Sequence, residues 1–112
     1  MIKNFKIFES NTKLKKGNYV ICKELTNGYD EDEKAAQEFI ESNVGQYIMF
    51  DRTADNKFGI KYENVPSQLE DHFFDIQDGI DGIRWMMRDE IIHYSKNKED
   101  LEVLFDVKKY NL

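Results

Sequence analysis

The sequence predicts an α+β domain: a small, bent antiparallel sheet with one helix inserted after its first strand and a second helix closing the chain. Three observations predict it. Runs at 17–23, 44–50 and 58–63 carry β-branched and aromatic residues, with Gly or Asn at or near their ends. Residues 31–42 and 98–109 instead space their apolar residues on one helical face. Third, 112 residues with eight Phe, six Tyr and one Trp are enough for a single core built on rings, each burying roughly 150–250 Å². No repeat, proline-rich linker or low-complexity tract divides the chain, so residues 1–112 form one domain.

Residues 1–14 fit an edge strand through Phe5 and Ile7 or a loosely held arm. The run Tyr19, Val20, Ile21, Cys22 is too continuous for simple alternation, which implies a strand covered on much of both faces. Thr26, Asn27 and Gly28 break it. Asp30 followed by Glu33 resembles a capping box, and Ala36, Phe39 and Ile40 supply the helical stripe that Asn43 and Gly45 end. The polar link 51–57, with Asp55 and Asn56 suited to a tight turn, makes a hairpin of the next two strands. Val65 before Pro66 is expected to end the second of them. Residues 66–73 allow a short helical turn with Leu69 and Phe73 on one side, and 75–82, with its Asp and Gly residues, reads as a surface loop. Residues 83–87 and 90–94 suggest a further strand, continuous or bulged at Arg88 and Asp89. In the closing helix acids come early and Lys108 and Lys109 late, as the helix dipole favours.

The pattern Lys16, Gly17, Tyr19, Val20, Ile21, then Val44, Gly45, Tyr47, Ile48, then Gly59, Ile60, Lys61, Tyr62 resembles the spacing of small SH3-like barrels over about half the chain. That resemblance implies a partly open barrel. The inserted helix and the acidic loop depart from a minimal one.

Charge divides sharply along the chain. Six Lys against one Glu give +5 over residues 1–23, and one Lys against eight acids gives −7 over 24–51. Residues 66–90 hold two Arg and seven acids, or −5, within a net of −6. Broad nucleic-acid binding needs many phosphate contacts from Lys and Arg, so this balance disfavours it and favours a protein partner with a basic surface. Acidic sign, compactness and Lys/Asn/Ile-rich usage resemble the small inhibitors carried by phages and mobile elements, including anti-CRISPR-type proteins. That resemblance implies occlusion of a host-defence protein. Residues 1–10 form no export signal, and no run of about 18 apolar residues spans a bilayer, so a cytoplasmic protein without a membrane partner is expected.

Chemistry-bearing motifs are sparse. Cys22 has no partner cysteine and reads as a small buried hydrophobe. His72 and His93 lack zinc spacing, and neither a nucleophile motif nor a phosphate-binding glycine loop accompanies them. No catalytic residue, metal or cofactor is expected. The aspartates of 75–82 match no twelve-residue calcium loop and read as a solvated turn. A partner surface is expected from Asp75, Asp78 and Asp81 with Arg84, Trp85 and Arg88, which add the residue types common at binding hot spots. In a strand, Trp85 and Met87 share one face and Arg84, Met86 and Arg88 the other, with Trp85 expected inward and the arginines outward. The alternative is an SH3-like nucleic-acid module using Lys3, Lys6, Lys13, Lys15 and Lys16 against phosphate. A small hydrolase ranks last.

Overall fold

The computed structural model describes residues 13–25, 30–52, 56–75 and 79–110, without the side chains of 75 and 106–110. Its chain order is β1 (Tyr19–Cys22), α1 (Glu31–Ser42), β2 (Gly45–Asp51), β3 (Lys57–Lys61), a 3-10 turn η1 (Ser67–His72), β4 (Phe74–Asp75), β5 (Ile80–Asp81), β6 (Ile83–Met86), a second 3-10 turn η2 (Arg88–Glu90), β7 (Ile91–Ser95) and α2 (Lys98–Tyr110). Five strands form an open antiparallel sheet in the order β6-β3-β2-β1-β7, and β4 and β5 pair as a separate small hairpin. This is the α+β fold the sequence predicts, with its sheet unclosed.

Bulges bend the sheet where register shifts between Ile21 and Cys22 on β1 and between Tyr47 and Met49 on β2. One face carries the core: Val20, Cys22, Tyr47, Ile60, Met86 and Ile91 pack beneath Ala36 and Ile40 of α1 and Leu69 of η1. Phe39, Tyr62 and Phe73 close it as a triangle of edge-on rings with centroids 5.5 to 5.9 Å apart. Such ring pairs contribute about 0.5–1.5 kcal/mol each beyond burial. Cys22 is fully buried within this core.

Helix α1 begins and ends as its sequence signals. The Asp30 carboxylate accepts the Glu33 N–H at 2.8 Å, and the Asn43 amide donates to the Phe39 carbonyl at 2.9 Å. The reciprocal half of the capping box is missing, because the Glu33 side chain is drawn to Arg84 and His72. Asn56 adopts φ 56°, the left-handed conformation its turn requires; Asp55 lies outside the described residues, as do residues 1–12.

Four expectations are corrected. Strand β3 stops at Lys61, four residues before Val65: the Tyr62 N–H leaves the ladder for the Gly82 carbonyl at 2.7 Å, and Asn64 turns the chain with φ 59°. Residues 75–82 are not simply a loop, since Asp75 pairs with Ile80 and Phe74 with Asp81. Gly82 closes that hairpin at φ 79°, where a Cβ would stand 2.7 Å from the Tyr62 carbonyl oxygen. The segment 83–94 is two strands on opposite edges of the sheet, separated by η2, whose Glu90 carboxylate accepts the N–H groups of both Met87 and Leu25. Lastly, the sidedness of β6 is reversed. Arg84 lies inward, its side chain 13% exposed, and Trp85 lies on the outer face, where its ring fills the space above Gly59 beside Met49.

Candidate functional site

Charged residues gather in two places, and they are arranged in opposite ways. The first is centred on Arg84. Its Nε and Nη2 donate to the two carboxylate oxygens of Glu24, each at 2.8 Å, a planar fork that suits guanidinium and carboxylate geometry. Nη2 also reaches Glu33 at 3.4 Å, and Nη1 donates to the His72 carbonyl at 3.0 Å. The guanidinium lies 5.5 Å from the centroid of the Phe73 ring. Burial acts to lower the Arg84 pKa, but the hydrogen bonds and charge of Glu24, then Glu33, outweigh it and leave it raised. His72 Nδ1 stands 3.6 Å from Glu33 on the other side. One side chain thus joins β6, the chain after β1, helix α1 and turn η1. It is a fastening, with Nε, Nη1 and Nη2 all engaged.

The second place is a cleft of about 510 Å³ at the end of β3, between η1 and the β4–β5 hairpin. Val65 and Phe73 line its apolar part, and Glu63, Glu70 and Asp81 supply exposed carboxylates. Among the described residues none of these three carboxylates has an ion-pair partner. Lys61, the one cation among the described residues of the lining, donates its ammonium to the Asp81 backbone carbonyl at 2.6 Å and is held there. A concave, partly apolar surface with several uncompensated charges of one sign favours a long cationic side chain, whose stem lies on the apolar wall while its head meets the carboxylates.

Among the described residues that the sequence nominates, Asp81 lines this cleft. Asp75 has its backbone in β4 with its side chain undescribed, and Asp78 lies outside the described residues. Arg84 is inward in the fastening. Arg88 sits at the other end of β6, over the Tyr94 ring at 5.4 Å and donating to the Ile91 carbonyl at 3.2 Å. Trp85 is partly covered on the outer sheet face. The described members of the nominated set are therefore divided among four places. Glu63 and Glu70 were missed: Glu63, Asn64 and Pro66 after an apolar strand signal a turn, but not that Glu70 of η1 meets it there. Glu24, isolated in sequence 60 residues from Arg84, gave no such signal.

Compared with models of protein families, with curated proteins and with solved structures, the chain matches none. Among the described residues no helix is long and apolar enough to cross a membrane.

Proposed function

We propose that this chain is a non-catalytic binding protein that receives a basic segment of another protein in the acidic cleft, and so occludes or scaffolds that partner. The observation that carries this reading is that Glu63, Glu70 and Asp81 have no ion-pair partner among the described residues, around a cleft large enough for several side chains. A net charge of −6 adds long-range attraction for a basic partner. The compositional likeness to mobile-element inhibitors extends the reading to occlusion of a host-defence protein. The likeness to SH3-like barrels draws support from the strand order, in which the last strand lies beside the first after a 3-10 turn.

A labelled arginine-rich peptide, followed by fluorescence anisotropy, tests the proposal. Binding is expected for the wild type and lost in the triple variant Glu63→Lys, Glu70→Lys, Asp81→Lys. A control of the same net charge, Glu31→Lys, Asp32→Lys, Glu38→Lys on the exposed face of α1, is expected to keep it. If both triples lose binding equally, the attraction is diffuse and the cleft is not the site. A second reading, a nucleic-acid module, has one observation in its favour: Lys57 and Lys61 share the outer face of β3 with Trp85 across from Gly59. A mobility shift with single-stranded RNA at physiological salt that Trp85→Ala abolishes would favour it instead.

A further inference from the structure

The cleft does not end at β3. A smaller cavity of about 150 Å³ adjoins it, sharing Lys61, Glu63 and Asn64 in its lining and continuing past Gln46 of β2 and Tyr19 of β1 to Lys98 and Glu102 of α2. The two together make a trough across the end of the sheet, perpendicular to the strands. Strands lie about 4.8 Å apart, so β3 to β1 is roughly 10 Å, the length of about three residues of extended chain at ~3.3 Å each. Its charge is uneven. Three carboxylates face Lys61 in the cleft, whereas in the smaller cavity Lys61 and Lys98 balance Glu63 and Glu102.

We infer that the partner segment is extended: it sets a basic residue in the cleft and lays the next two or three residues, uncharged and polar, over Glu63 and Asn64 into the smaller cavity against α2. This rests on the binding reading above and adds to it a register and a direction of travel across the sheet. A compact ligand confined to the cleft would leave the second cavity without influence. An extended chain makes the two cavities parts of one specificity.

The test is an oriented library of eight-residue peptides with one fixed Arg and uncharged residues randomised elsewhere, selected against the wild type and three variants. Wild-type protein is expected to select particular residues at two or three consecutive positions on one side of the Arg only. Ser42→Tyr, which fills the smaller cavity from the end of α1, is expected to erase those preferences and weaken the best peptide about tenfold while keeping the requirement for Arg. Glu102→Tyr, filling it from α2, is expected to do the same, and circular dichroism confirms that both fold. Glu70→Lys with Asp81→Lys, which touches only the cleft, is expected to abolish selection altogether. An Arg requirement with no flanking preference, or preferences that survive both tyrosine substitutions, overturns the extended track and leaves the basic-partner reading standing. Equal recovery from a library whose fixed Arg is replaced by Ser overturns both.

Discussion

Two groups of carboxylates in this small domain face opposite fates. Glu24 and Glu33 converge on Arg84, and Glu24, with its side chain 10% exposed, has both oxygens taken by the guanidinium. Glu63, Glu70 and Asp81 stand at the lip of a cleft with no cation committed to them among the described residues. The residue types are the same; the difference lies in how much water each has lost. A carboxylate withdrawn from solvent must be paired, so the Arg84 cluster is obligatory once the fold forms around it. A carboxylate left in water needs no partner and keeps its charge available to another molecule. Charge that is spent marks structure, and charge that is free marks the candidate surface.

The largest effect should come from breaking the spent group. Glu24→Ala leaves the guanidinium partly buried without its main partner and is expected to cost about 3 kcal/mol of unfolding free energy, read from urea denaturation. Removing both members, Glu24→Leu with Arg84→Met, should cost less than Glu24→Ala alone, because an apolar pair leaves no orphaned charge. A double variant less stable than the single one would mean that the contacts of Arg84 with the His72 carbonyl and Phe73, not the ion pair, hold this corner. In the free group the pattern inverts. Glu70→Lys with Asp81→Lys should change stability by no more than about 0.5 kcal/mol, as exposed substitutions do, while basic-peptide affinity falls and loses its salt dependence. Appreciable destabilisation by that pair would erase the distinction between the two groups.

The same distinction explains what the sequence made legible. Local signals were sufficient for α1: Asp30 caps it, Ala36 and Ile40 bury its face, and Asn43 ends it where expected. They were sufficient too for the existence of β3, which the run at 58–63 marks as a strand. They failed where a bond joins distant residues. Nothing near Arg84 announces Glu24, so a residue type common at interfaces read as an outward anchor, whereas the fold turns it inward and leaves Trp85 on the outer face over Gly59. Likewise β6 and β7 read as one strand because the turn between them depends on Glu90 reaching back to Leu25, 65 residues earlier. Asp81 was legible as exposed charge, but its company, Glu63 and Glu70, required knowing that the end of β3 and η1 meet.

A third arrangement lies between the two groups and gives the smallest effects. The Tyr62 hydroxyl is buried beside the Cys22 thiol, a weak acceptor, and among the described residues it has no hydrogen-bond partner of good geometry. An unsatisfied buried hydroxyl opposes folding, so Tyr62→Phe should be neutral or stabilising by up to about 1 kcal/mol. Burial pushes the Cys22 thiol up to about 12, opposed by the neighbouring Tyr62 hydroxyl and helped by Glu90 and Glu24, and raises Tyr62 well above its usual value. Well below pH 9 the thiol is neutral in both states and contributes no pH dependence. Above it the unfolded chain releases a proton that the folded chain retains until about pH 12, so stability must fall as pH rises across that window. Urea midpoints measured from pH 8 to pH 10.5 should therefore decline, and Cys22→Ala should decline less steeply. Should the two slopes coincide, the alkaline loss belongs to the tyrosines, and Tyr62→Phe in the same series would then carry the difference.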